Sequence, residues 1–360
     1  MSHGTHGVVH GGMREDELLA LGIDPTGVVD LSANLHPSGP DPAVLAAARI
    51  ARLDQYPPPD AAPLRDAIAE AHGLDPATVL VTPGATAALH LLARAYVRRS
   101  EVASIAGPTF GEYRAAIMAA GGEVVEHQAV APDFAPDLDA LSEGKPQLMY
   151  LCLPNNPTGA YLQRDQVCAL LDRLADNQLL VLDAAYAPFV QGAWDIDALV
   201  AEGRHTVVVH SLTKLHAVPG LRLGYIVAPV GVIERLRPLV PSWSIDAASL
   251  GAGMVAVTQH TKRIALLEAT WRVREELRSH CEALGLVVAP GRANFLTVRT
   301  GHGATARERL MREGFVVRDC ASFGLPDWIR IAVPREEDLS ALKLALTAAL
   351  GESTTPVDTT

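Results

Sequence analysis

Three side chains in the segment SLTKLHAVPGLRLGY, Ser211, Lys214 and Arg222, combine an amine with two groups suited to a phosphate. They follow TVVVH, an apolar run that reads as a strand, so they stand where open α/β sheets form their ligand crevices. An amine desolvated at such a place sheds its proton more readily, and a free amine forms a Schiff base with an aldehyde. A serine hydroxyl and an arginine fork hold a dianionic phosphate through charge-assisted hydrogen bonds. Taken alone, S-x-x-K also describes a surface turn with solvated charges.

Four more segments carry compatible chemistry. In LVLDAAYAPF an apolar strand ends in Asp183, with Tyr186 three residues on. A buried acid needs a partner, and a protonated pyridine nitrogen is a suitable one; an N-cap for a following turn is the plainer role. In LCLPNNPTGA two prolines and a glycine stiffen the chain around Asn156, whose amide can face a ring oxygen, although N-P-T-G is also ordinary turn chemistry. In VTPGATAALHLL a strand meets Gly84 and a helix beginning near Ala85 and Thr86, whose free amides can take a phosphate. PTFGEY offers Phe110 as a plate for a ring, or as a core residue.

These positions require a scaffold that brings strand ends together. Between about residues 64 and 230, short apolar runs (79–82, 102–106, 123–128, 147–153, 179–183, 206–211 and 224–228) alternate with amphipathic stretches such as 85–98, 110–120 and 163–176. This is the pattern of an α/β fold with a mainly parallel sheet flanked by helices. A helix is expected near 15–22, another near 43–53, and a long one over 247–285, followed by a smaller α+β unit. The expected division is an arm and small-domain segment (1–41), a large domain (42–260), a small carboxyl-terminal domain (261–351) and a disordered tail (352–360).

Composition narrows the partners. The 30 Lys and Arg against 41 Asp and Glu leave a charge of −11, which disfavours nucleic acid and anionic membranes. No run suits a membrane span, and the four cysteines show no C-x-x-C or zinc spacing, so a reduced, cytoplasmic setting and no metal are expected.

In their order, Gly84–Thr86, Phe110, NNPTG, Asp183 with Tyr186, and SLTK…GLRLGY resemble the class I/II aminotransferases, pyridoxal-5'-phosphate enzymes of fold type I. The resemblance implies that Lys214 is the Schiff-base lysine and proton shuttle, that Asp183 partners the pyridine nitrogen, and that Asn156 and Tyr186 contact the phenolic oxygen. Ala85, Thr86, Ser211 and Arg222 would hold the cofactor phosphate, Arg330 in WIRIAV the substrate carboxylate, and Tyr56 would reach the neighbouring subunit's cofactor in a homodimer with shared sites.

From about residue 9 to 345 the chain further resembles the threonine-phosphate decarboxylases of cobalamin biosynthesis, in VHGG, VVDLSANLHPSGP, PSWSIDA, PGRANFL and VVRDCASF. That implies decarboxylation of L-threonine O-3-phosphate to (R)-1-amino-2-propanol O-2-phosphate, with His10, Gly11 and Arg318 as candidates for the substrate phosphate. Departures are His36 where asparagine is common, Ala184 after Asp183, and the longer YPPPD. The sister histidinol-phosphate aminotransferases supply the alternative, transamination of histidinol phosphate or a related amino acid. A noncatalytic module of a transcription regulator is a remote third reading, since the residues before the core are too few and not basic enough for a DNA-binding domain.

Overall fold

The computed structural model describes residues 8–351; His3, His6 and the expected disordered tail lie outside the described residues. Strand β1 (Val29–Asp30) is followed by the seven strands of a central sheet, β2 (Val79–Thr82), β3 (Val102–Gly107), β4 (Glu123–Gln128), β5 (Leu148–Cys152), β6 (Leu179–Asp183), β7 (Thr206–Ser211) and β8 (Gly224–Val227). Their spatial order is β2-β8-β7-β6-β5-β3-β4, with β8 antiparallel to both its neighbours and the other pairs parallel.

Strands buried on both faces read as continuous apolar runs, and the period of two divides them between two cores. Met149, Leu151, Leu180, Leu182 and Val208 face one core, whereas Leu148, Tyr150, Leu179, Val181, Val207 and Val209 face the other. Continuing that alternation puts Cys152, Asp183 and Ser211, at the ends of three adjacent strands, on the second face. His210 turns to the first.

The remaining strands are β9 (Val287–Val288), β10 (Phe295–Arg299), β11 (Phe315–Val316), β12 (Arg318–Asp319) and β13 (Trp328–Ala332). Four form an antiparallel sheet in the order β12-β13-β10-β9, and β11 pairs in parallel with β1. The amino-terminal helix Glu15–Ala20 joins this part of the molecule, Leu18 packing with Met311 and Val316.

The expected long helix over 247–285 is instead three, Ala247–Thr258, His260–Ala265 and Leu267–Ala283. The breaks turn the middle segment so that buried Arg263 donates to the carbonyls of Leu215 (3.0 Å) and Gly39 (2.9 Å). The expected helix 163–176 stops at Leu171, and 85–98 stops at Tyr96 because Val97 is extended. Among the described residues no helix is long and apolar enough to cross a membrane, and no group of His, Cys, Asp or Glu is disposed to hold a metal.

Candidate active site

A cleft of about 430 Å³ opens at the carboxyl ends of β5, β6 and β7, between the central sheet and the four-stranded one. Of the residues singled out in the sequence, Ala85, Thr86, Phe110, Asn156, Asp183, Tyr186, Ser211, Lys214, Arg222, Arg330, His10 and Gly11 all line it.

Asp183 is the buried acid. Its Oδ2 accepts from the Tyr113 hydroxyl at 2.8 Å and its Oδ1 from the Ala185 amide at 3.0 Å. Burial pushes its carboxyl above the usual range, opposed by these two hydrogen bonds and by the positive potential of His210 and Lys214. Lys214 follows β7 in the short helix Leu212–Leu215, its Nζ 5.9 Å from the centre of the Tyr186 ring. The Tyr186 hydroxyl accepts from Asn34 Nδ2 at 3.3 Å, and its ring meets Phe295 edge-on. Lys214 is itself braced from below, since its carbonyl accepts the His36 amide at 3.0 Å.

At the other end, the helix Ala85–Tyr96 points an amino terminus with no side-chain cap at the cleft. Gly84 has φ +87°, and a Cβ there would stand 2.6 Å from Arg222 Nη2. A Cβ on Gly224 would lie 2.6 Å from the Ala85 amide nitrogen. These two glycines therefore let the helix end, the arginine and the β7–β8 pair converge. Ser211 and Thr213 share a hydrogen bond of 2.8 Å beside them. Free amides, a guanidinium and two hydroxyls around one point form a cradle for a dianion.

Arg330, central in β13, is buried; it donates to Asn156 Oδ1 and, at 2.7 Å, to the Ser32 carbonyl. Its Nε has no partner among the described residues, and burial draws its pKa below the ordinary value. Asn155 holds the neighbouring turn by accepting from Thr109 (2.6 Å) and donating to Pro108 O (2.9 Å), so that Asn156 is the one facing inward.

The arm crosses the cleft mouth. His10 Nε2 lies 2.9 Å from Glu112 Oε1, and Gly12 donates to Ser32 Oγ at 2.8 Å. Arg318, expected at the substrate phosphate, does not line the cleft: its guanidinium donates to the carbonyls of Val9 (2.8 Å) and His10 (3.1 Å) and to Ser322, and so pins the arm. Tyr56 also stands away from this cleft, 83% exposed, its ring 5.0 Å from Trp243.

Ser32, Asn34, Glu112, Tyr113, Cys152, Thr213 and Phe323 belong to the site or its support and were not singled out as site residues. Tyr113 had a partial signal: with Ala116 and Ile117 it marks the buried face of the helix Glu112–Ala119, but nothing local points to Asp183. The amine, the buried acid and the dianion cradle together fit pyridoxal phosphate, whose aldehyde, pyridine nitrogen and phosphate need those three groups.

Residues 26–343 match the family described as Aminotransferase class I and II. The chain is 33% identical over 346 residues to a histidinol-phosphate aminotransferase of Symbiobacterium thermophilum, covering 94% of each. It is 33% identical to one of Nitrobacter hamburgensis, covering 86% of this chain and 88% of the relative. Among solved structures, the histidinol-phosphate aminotransferase of Sinorhizobium meliloti in complex with pyridoxal-5'-phosphate superposes with a TM-score of 0.85 over 97% of this chain and 98% of that one, at 22% identity. The L-threonine-O-3-phosphate decarboxylase of Porphyromonas gingivalis gives 0.79 over 89% and 99%, at 26%.

The threonine-phosphate decarboxylase expectation, with its carboxy-lyase and cobalamin terms, is corrected by the curated relatives, which at 32–33% identity carry the name histidinol-phosphate aminotransferase. The segments that suggested it supply cleft residues such as His10, Gly11, Ser32, Asn34 and Phe323, and do not by themselves fix the fate of the substrate carbon. The chain belongs to the class I and II aminotransferases, pyridoxal-phosphate enzymes of fold type I.

Proposed function

We propose that this protein is an aminotransferase acting on histidinol phosphate or a closely related phosphorylated amine, with a 2-oxo acid as acceptor. Relatives of that name spanning 86–94% of the chain support the substrate. The arrangement that carries the reaction type is Lys214 set beside Tyr186, above buried Asp183 and within the same cleft as the buried Arg330 guanidinium.

When bound, pyridoxal phosphate supplies an electron sink for the pair left by a departing Cα proton. In this reading Lys214 Nζ would accept that proton and return it, serving as general base and then general acid. Asp183 holds a proton on the pyridine nitrogen. Asn156 and Tyr186 address the phenolic oxygen, while the Ala85 and Thr86 amides, Ser211 and Arg222 hold the phosphate. Arg330 holds an anion of either partner, a carboxylate in the oxo acid or a phosphate in the amine.

The same reading makes the enzyme a homodimer in which Tyr56 serves the other copy's cofactor. Ile50, Leu53 and Tyr56, all at least 81% exposed, support it, since such apolar exposure asks for a covering partner. Light scattering checks the mass.

The activity test supplies L-histidinol phosphate and 2-oxoglutarate to the holoenzyme and follows glutamate. Glutamate accumulating over many turnovers only when both are present supports the proposal. No glutamate, or consumption of the amine without any acceptor, overturns it.

A further inference from the structure

Glu112 is a carboxylate 8% exposed in the wall of the cleft, and both of its oxygens are taken by imidazoles. Oε1 lies 2.9 Å from His10 Nε2 and Oε2 lies 2.9 Å from His90 Nε2. The two histidines differ in kind. His90 sits within the helix Ala85–Tyr96, a fixed part of the wall. His10 is on the arm, with 55% of its side chain exposed, and its ring enters the cleft edge-on to Phe110 at 6.0 Å between centres. Phe323 lines the same space. A buried acid flanked by aromatic rings is a receptor for a planar N–H donor, because a carboxylate out of water and without a donor bears its full desolvation penalty.

We propose that Glu112 is the specificity residue for the substrate's imidazole, and that His10 occupies this subsite as a built-in stand-in that the substrate displaces. This rests on the reading that the substrate carries an imidazole, and it assigns to that ring an acceptor (Glu112) and an aromatic neighbour met edge-on (Phe110). The exchange is isologous: one imidazole N–H leaves Glu112 Oε1 as another arrives, so the acid is never stripped of its donor. Arg318 and Ser32 keep the arm backbone in place while the His10 side chain swings out.

The test is calorimetry of free imidazole on the holoenzyme, which does not depend on turnover. The His10→Gly enzyme should bind imidazole at least ten-fold more tightly than the wild type, and Glu112→Gln added to it should remove that gain. If the His10→Gly enzyme binds imidazole no better than the wild type, the subsite is overturned whether or not histidinol phosphate is a substrate. In turnover, Glu112→Gln should raise KM for histidinol phosphate at least ten-fold while leaving KM for 2-oxoglutarate within two-fold, with Glu112→Asp recovering part of the loss. His10→Gly should lower KM for histidinol phosphate. A rise in KM for both substrates in His10→Gly would mean that the pair only latches the arm, and would overturn the proposal. A wild type that ignores histidinol phosphate yet binds imidazole in the His10→Gly form would remove the substrate reading and keep the subsite.

Discussion

The hydroxyl of Tyr113 donates to Asp183 Oδ2 across 2.8 Å, in a spot where both residues are buried and 70 positions separate them in the chain. Tyr113 is held there by stacking on Tyr150, ring centres 5.0 Å apart and planes 8° from parallel. Because burial disfavours a charged Asp183, this donor helps keep the acid in the form that can hold a pyridinium proton. In Tyr113→Phe the ring stays and the donor goes. A hydrogen bond to a charged group contributes about 1.5–3 kcal/mol, so kcat/KM should fall on the order of ten- to a hundred-fold. Steady-state kinetics with matched cofactor loading checks it; an unchanged value would mean that the ring nitrogen holds Asp183 ionised unaided.

Lys214→Ala should abolish the covalent hold on the cofactor and lower turnover by roughly two to four orders of magnitude, the usual range for removing a general base. Borohydride treatment followed by mass analysis of the peptide containing residue 214 reads the linkage directly. A labelled lysine elsewhere in the variant, with full turnover, would move the assignment.

Gly84→Ala tests the cradle. The added methyl meets Arg222 Nη2 at 2.6 Å, and the backbone at φ +87° is one that alanine adopts only with strain. Cofactor affinity should drop on the order of ten-fold or more, measured by equilibrium dialysis, with far-ultraviolet dichroism unchanged.

His36, His216 and His260 are buried enough that desolvation draws their pKa values down to about 4, 3 and 4 from an ordinary 6.5. A depressed pKa means that the folded chain prefers the neutral ring, so their contribution is intact above about pH 6.5 and is lost as pH falls through that value toward 4. His216 is the clearest case, being fully buried with neither ring nitrogen partnered among the described residues and with His36, His260 and Arg263 nearby. Thermal unfolding should shift to lower temperature across that window, and His216→Phe should lose less over the same range. Parallel curves for the two proteins would show that His216 does not titrate on unfolding.

What could be read from the residues alone follows from where each signal lives. The central strands were legible because β5 and β6 are buried on both faces and so become unbroken apolar runs, and Lys214, Asp183 and Asn156 were legible because each sits just where such a run meets turn residues. Pairings such as Tyr113 with Asp183, or Arg330 with Ser32, span 70 and 298 positions and leave no local trace. The helix expected over 247–285 was misjudged for the same reason, since its break serves Arg263, whose acceptors lie on Leu215 and Gly39. Substrate choice was the least legible: the residues that would meet the substrate's far end, His10 and Glu112 among them, are few and lie far apart in the chain.

Ser32, just after β1, leaves the ribosome 298 residues ahead of its partner Arg330, and β1 precedes its partner β11 by a similar span. The segment around β1 must therefore wait, without these partners, until β11 and β13 have been made, and the cleft cannot close before then. Large chains fold unit by unit as they emerge, so the central sheet, complete by Val227, is the part able to form first. A nascent chain halted before residue 315 would carry Lys214 and the phosphate cradle without the strand that pairs with β1, which makes the assembled site a report that translation has passed Arg330.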